Sequence, residues 1–173
     1  ERLRGYFALC IYDVQKNKLF VARDRMGEST LYYAQIPTGI VVSTELKNIL
    51  SEYISSPQIN ITSLLEPIRY IAPMDMEKTW VHQIKRIQHR HYLEIDVEGI
   101  VDNQYWKRSH EPQFVGNKQE ALEHTLDLMQ ESVDLTMRSD KPIAIMLSGG
   151  IDSCAVAALA KRSGHEVHTI TVG

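Results

Sequence analysis

Leu147-Ser148-Gly149-Gly150-Ile151-Asp152-Ser153 is the stretch that most limits how this chain folds. An apolar run, Ile143 to Leu147, precedes it, and an alanine-rich run, Ala155 to Ala160, follows. That order predicts a strand, a glycine turn and a helix. Adjacent glycines allow positive φ and let a ligand approach with no Cβ in the way. The amides beyond such a turn face outward at a helix N-terminus, where partial positive charge gathers. Ser148 and Ser153 add hydroxyl donors, and Asp152 suits a helix cap or the orientation of a metal-bound phosphate. The chemistry is that of holding a phosphate or pyrophosphate. Two glycines alone would read as a plain strand-to-helix turn, but the full Ser-Gly-Gly-Ile-Asp-Ser string favours phosphate. No Walker-type lysine follows, so this is not the common P-loop.

The string resembles the pyrophosphate loop of ATP pyrophosphatases, which split ATP between its α- and β-phosphates. Asparagine, GMP and argininosuccinate synthetases and tRNA-modifying enzymes share it, so the branch must come from the rest of the chain.

A length of 173 residues suggests one large domain or two small ones. The apolar fraction of 43% is enough for a packed core. A net charge of −3 predicts no broad nucleic-acid or membrane surface. Cys10 and Cys154 are far apart, so no disulfide framework is implied and a reducing, cytoplasmic setting fits. No apolar run has the length of a membrane span, and no signal peptide is visible. The absence of a starting methionine and the stop just after an apolar strand predict an internal piece of a longer protein.

The first half predicts a layered antiparallel sheet. Residues 6 to 12 and Leu19 to Ala22 read as a hairpin buried on both faces, joined at Lys16-Asn17-Lys18. Arg23-Asp24-Arg25-Met26-Gly27 reads as a solvated charged turn with weak ion pairs. Leu31 to Ala34 and Ile40 to Val42 form a second hairpin, turning at Pro37-Thr38-Gly39. Ser43 or Thr44 is expected to cap a short helix through Leu50, with Leu46, Ile49 and Leu50 on one side. This region is similar to the later half of a class II glutamine amidotransferase domain of the form fused to asparagine synthetase. Gly5, Phe7, Arg23, Asp24, Arg25, Gly27, Leu31, Tyr32, Tyr33, Glu45 and Lys47 carry the resemblance. Thr30 stands where that family usually has proline, and Thr44 where it has serine.

Farther on, Asn60-Ile61-Thr62 starts a helix carrying Leu64, Leu65 and Ile68, and residues 73 to 76 form a loop. Val81 to Ile87 and His91 to Val97 read as strands, Glu98-Gly99 turns the chain, and Gln104-Tyr105-Trp106 closes the region. This pattern resembles the end of the same amidotransferase domain, with Gln88-His89-Arg90 where proline and glycine are usual. His89 and His91 could share a strand face, but no further ligands accompany them. Exposed edge histidines are the expectation, with no metal site.

Residues 107 to 118 are polar and mark a domain boundary. Asn117 and Glu120 resemble a capping box, and Leu122, Leu126, Met129, Val133 and Met137 form one stripe predicted to be buried. Lys161 and Arg162 suit a helix C-terminus, and Gly164 the left-handed position after it. His165 to Val172 is a second strand. The strand-helix-strand order implies parallel strands with a right-handed crossover and a ligand at their carboxyl ends.

That order resembles the first third of the asparagine synthetase domain. The resemblance implies an α+β fold followed by α/β. Residues 1 to 108 would be part of an antiparallel layered N-terminal-nucleophile-type glutaminase domain, and 109 to 118 a linker. Residues 119 to 173 would begin a parallel-sheet ATP-pyrophosphatase (adenine nucleotide alpha hydrolase-like) domain. It implies that Leu147 and Val172 contact the adenosine of ATP, largely through backbone. Ser148, Gly149, Gly150, Asp152 and Ser153 would hold the pyrophosphate, with Mg²⁺ sharing the charge. Val172 reads equally as an ordinary buried strand residue.

The implied activity is ATP-dependent amidation of aspartate by ammonia from glutamine, in a cytoplasmic enzyme compatible with a homodimer. The family's nucleophile is an N-terminal cysteine whose α-amine serves as base. Glu1 cannot play that part and Cys10 sits in an apolar strand, so no catalytic residue is expected here and the piece alone should be inactive. The alternatives are another amide-forming enzyme of this architecture, such as a β-lactam synthetase or lasso-peptide cyclase, and a non-catalytic nucleotide-binding relative.

Overall fold

The computed structural model describes residues 3–70, 75–111 and 114–172. It divides into two compact units, Glu1–Ser109 and His110–Gly173.

In the first unit, β1 (Ala8–Asp13) and β2 (Lys18–Arg23) form the predicted hairpin. β2 then pairs with β6 (His91–Asp96), and β6 with β7 (Gly99–Gln104), all antiparallel. β3 (Tyr32–Ile36) lies between β4 (Gly39–Ser43) and the short β5 (Lys85–Arg86) in a second antiparallel sheet. A core of Val21, Leu93 and Ile95 from the first sheet meets Leu31, Tyr33 and Ile87 from the second segment of chain. Helix α1 (Leu46–Tyr53) covers the second sheet, with Ile49 packed among Ala34, Val81 and Ile84. Helix α2 (Ile61–Tyr70) follows.

Several expectations are corrected. β1 is an edge strand and is not buried on both faces: Ile11 and Tyr12 are more than half exposed. Neither Ser43 nor Thr44 caps α1. Its cap is Glu45, without a side-chain bond, while the Ser43 hydroxyl accepts from the Glu45 amide at 3.1 Å. Helix α2 carries Leu64, Leu65 and Ile68 as expected; these three are exposed and its buried residue is Ser63. Asn60 does start that helix, its side chain accepting from the Ser63 amide at 3.2 Å. Val81 to Ile87 is not one strand, because His82-Gln83 turns the chain: Val81 makes an isolated bridge to Ile59, and Lys85–Arg86 pair with β3. β7 is a full strand where the sequence suggested only a closing segment. Of the loop expected at 73 to 76, Pro73 and Met74 lie outside the described residues. Asp75 turns the chain by accepting from the amides of Glu77 and Lys78.

In the second unit, helix α3 (Lys118–Thr136) starts at the expected capping box. The Asn117 side chain accepts from the Glu120 amide at 3.0 Å, and the Glu120 carboxylate accepts from the Asn117 amide at 2.9 Å. β8 (Ala144–Met146) and β9 (His168–Ile170) pair in parallel, connected through α4 (Ile151–Arg162). Val133, Ile145, Leu159 and Ala160 form the core. The stripe predicted to be buried on α3 is buried only at its C-terminal end: Leu122, Leu126 and Met129 are each more than 40% exposed. Within the second unit, the C-terminal end of α3 packs on the short β8–α4–β9 layer. Gln130 fastens it there, donating to the Leu159 carbonyl at 3.0 Å and the Ser163 hydroxyl at 2.7 Å. Lys161 and Arg162 occupy the last turn of α4, and Gly164 takes φ +81° beyond it.

Among the described residues no helix is long and apolar enough to cross a membrane.

Candidate functional site: the glycine loop and the Arg23–Asp24 cage

The glycine loop lies between the end of β8 and the start of α4. Gly149 has φ +79°, and no atom lies within 4 Å of where its Cβ would stand. Gly150 is the N-cap residue of α4, with no side-chain cap. The first helical bond runs from the Cys154 amide to the Gly150 carbonyl at 3.1 Å. Among the described residues the amides of Ile151, Asp152 and Ser153 therefore have no acceptor and face out at the positive end of the helix.

The two serines build the turn. Their hydroxyl oxygens are 3.1 Å apart, and the Ser153 hydroxyl also donates to the Gly150 carbonyl at 3.1 Å. The Gly150 amide reaches the Ser148 hydroxyl at 3.4 Å. Asp152 sits in the first helical turn, exposed and not acting as the cap. Ser148, Gly149, Gly150 and Asp152 are exposed and Ser153 partly so. The structure thus gathers these five in one open turn. Leu147 joins the turn to the strand pair, its amide donating to the Ile170 carbonyl at 2.9 Å. Val172 lies just past β9 and is 84% exposed, so the reading of it as an ordinary buried strand residue does not hold. Sequence reasoning missed Thr171, whose hydroxyl donates to the Leu147 carbonyl at 3.0 Å. A polar residue facing a strand end was the available signal.

An open turn with three free amides, two hydroxyls and a helix dipole fits an anion of pyrophosphate type. An exposed carboxylate beside it, that of Asp152, would repel such an anion unless a cation lay between them. Among the described residues no group of three or more His, Cys, Asp or Glu could hold a metal by itself.

In the first unit the charged turn is solvated at Arg25 and Met26 but not at its first two residues. Arg23 and Asp24 are buried, at 4% and 1% exposure. The Asp24 carboxylate accepts from the amides of Met26, Gly27 and Glu28 through Oδ1, and from those of Ser29 and Phe7 through Oδ2. Burial pushes its carboxyl up, but the amides of Ser29, Glu28, Gly27 and Phe7 outweigh that and hold it below the ordinary carboxylate value. Arg23 donates to the carbonyls of Ser29, Ile87 and Gly27. Burial, then the neighbouring Arg86, lowers its pKa. Two charges inside the fold are tolerable because main-chain dipoles surround both. Gly27, at φ +74°, closes the cage, and a Cβ there would lie 3.0 Å from the His89 Cβ.

His89 and His91 do not share a strand face. His89 is in a turn, with its ring pKa lowered by burial and then by Arg90 and Arg23. His91 opens β6, 2.7 Å from Asp102. Neither is an exposed edge histidine. Cys10 is on the exposed edge strand, and Cys154 is free and exposed on α4. Thr30, in place of the usual proline, donates to the Thr44 carbonyl at 2.8 Å and ties the second hairpin to the start of α1.

Residues 1–106 match the family described as glutamine amidotransferase domain. The chain belongs to that family. Residues 124–173, which contain the glycine loop, match the asparagine synthase family. The amidotransferase match therefore covers both antiparallel sheets, and the synthase match covers most of α3 and the β8–α4–β9 unit. Among similar proteins, asparagine synthetase [glutamine-hydrolyzing] 3 of Bacillus subtilis is 30% identical over 95% of this chain and 26% of its own length. Asparagine synthetase [glutamine-hydrolyzing] 2 of the same organism is 29% identical over 97% of this chain and 24% of its own. Amidase chry2 of Gibberella zeae is 29% identical over 94% of this chain and 24% of its own. The chain spans about a quarter of the length of these relatives.

Proposed function

We propose that the chain is a part of an amide-forming ligase of the glutamine-hydrolysing asparagine synthetase type, and that its glycine loop holds the pyrophosphate of ATP. One observation carries the reading: an open turn with free amides at the carboxyl end of a parallel strand pair, on the same chain as an amidotransferase unit. The parallel pair is read as the beginning of an ATP-pyrophosphatase domain.

In the proposed reaction a carboxylate, aspartate in the first instance, attacks the α-phosphate of ATP. An acyl-adenylate forms and pyrophosphate leaves. Ammonia released from glutamine then displaces AMP and gives the amide. The amides of Ile151, Asp152 and Ser153 are fixed by the turn before the reaction begins. They can stabilise the charge on the leaving pyrophosphate without reorganising. The Ser148 and Ser153 hydroxyls, bonded to each other and to the Gly150 carbonyl in the open turn, would turn their protons to its oxygens when it binds. Asp152 would hold Mg²⁺, which spreads the phosphate charge when bound. Leu147 and Val172 would meet the adenosine through main-chain groups.

ATP–pyrophosphate exchange by the complete protein tests this reading. Exchange should depend on a carboxylate substrate and Mg²⁺, and Gly149→Val should reduce it at least about a hundredfold by filling the turn where φ is positive. Wild-type exchange in that variant would refute the role of the loop. The chain of 173 residues on its own is expected to show neither exchange nor glutamine hydrolysis, and ammonia release from labelled glutamine would overturn that.

A second acceptor class is favoured by two observations: Thr30 and Thr44 depart from the usual residues and are tied to each other, and two similar proteins are named amidases. Exchange with aspartate against bulkier carboxylates separates the two.

A further inference from the structure

The β8/β9 pair ends differently from the ladder before it. Ala144, Ile145 and Met146 face His168, Thr169 and Ile170 in parallel register, and the Leu147 amide extends this by donating to the Ile170 carbonyl. In a parallel ladder, a residue that donates to one neighbour accepts from the residue two beyond it. The regular donor to the Leu147 carbonyl is therefore the Val172 amide. The observed donor is the Thr171 hydroxyl, at 3.0 Å. The Val172 amide forms no hydrogen bond among the described residues, although β9 delivers it to the ladder's end.

We propose that Thr171 is a positioning residue for the nucleotide. Its side chain takes over the last ladder position, which leaves the Val172 amide free to donate to a ring nitrogen on the edge of a purine base. The same bond fixes the carbonyl of Leu147, the residue from which the phosphate turn springs. One hydroxyl thus sets the spacing between the group that reads the base and the group that holds the phosphates. Valine is nearly isosteric with threonine and is at least as good a strand residue, so the hydroxyl is what the site gains. This inference rests on the loop's proposed role in binding ATP.

The test compares Thr171→Val and Thr171→Ser in the complete protein, with MgATP as probe. In T171V the Val172 amide rejoins the Leu147 carbonyl. KM for ATP should rise about three- to tenfold, the worth of one neutral hydrogen bond, with the change in KM rather than kcat. Hydrogen exchange at the Val172 amide should slow. T171S keeps the hydroxyl and should stay within about twofold of wild type. Ser153→Ala and Gly149→Val, made in parallel, separate the two levels of the reading. Weakened ATP binding in the loop variants with a wild-type KM in T171V overturns the Thr171 inference alone. Equal impairment of T171S and T171V overturns it too. Unchanged ATP binding in the loop variants overturns the loop's role, and this inference with it.

Discussion

Replacing Asp24 by Asn is the most direct test of how the amidotransferase unit is held together. The change is isosteric and removes one acceptor oxygen. If the remaining oxygen keeps the amides of Met26, Gly27 and Glu28, the new NH₂ group faces the amides of Ser29 and Phe7. Two partly buried donors then lose their acceptor, at about 1–3 kcal/mol each. The three retained bonds weaken from charged to neutral. Removal of a buried charge offsets part of this, and a net loss of about 3–5 kcal/mol remains. Trp80 and Trp106 both lie in the first unit, so tryptophan fluorescence in urea follows that unit alone. With m near 2 kcal/mol/M, the midpoint should fall by about 2 M. A fall below about 0.5 M would mean that the carboxylate is effectively solvated, and would refute the cage. The pH dependence supplies a second arm. The folded carboxyl is held below its unfolded value, so its contribution is fully present above about pH 4 and is lost as pH falls through the folded pKa. The gap between wild type and D24N should be constant from about pH 5 upward and should close below about pH 4.

Gly27→Ala should lower the same fluorescence midpoint by about 0.5–1.5 M. It forces alanine to positive φ at about 1–2 kcal/mol and crowds His89, and an unchanged midpoint would place the cage elsewhere. Asn117→Ala removes the capping box of α3 and should cost about 1 kcal/mol, read as faster amide exchange in the first turn of that helix. Exchange indistinguishable from wild type there would count against the cap.

Local signals in the chain were legible where the physics is local. Asn117 and Glu120 announce a capping box because both partners lie three residues apart. Gly164 marks the end of α4 because only the adjacent backbone decides its φ. Both hairpins were visible for the same reason. Arg23 and Asp24 were misread because their partners are main-chain groups, one of them the Ile87 carbonyl 64 positions away, and main-chain groups leave no mark in composition. β1 was misread because its apolar sequence suits a central strand, whereas its place in the sheet is an edge. On α3 the period was right and the burial was not: periodicity shows that Leu122, Leu126 and Met129 share a face, but not what meets that face. That residues 148 to 153 share one turn could be read from sequence, since adjacent glycines at a strand end form one short turn. Thr171 could not, because its bond depends on the register of β8 against β9.

The cage around Arg23 and Asp24 recognises chain path rather than side-chain identity. The hydrogen bonds that hold the two side chains run to peptide groups, so Met26, Glu28 and Ser29 are free to drift without disturbing it. An insertion or deletion between positions 24 and 29 would misalign several contacts at once. Lineages of this unit should therefore tolerate exchange of residues in the segment far better than any change in its length.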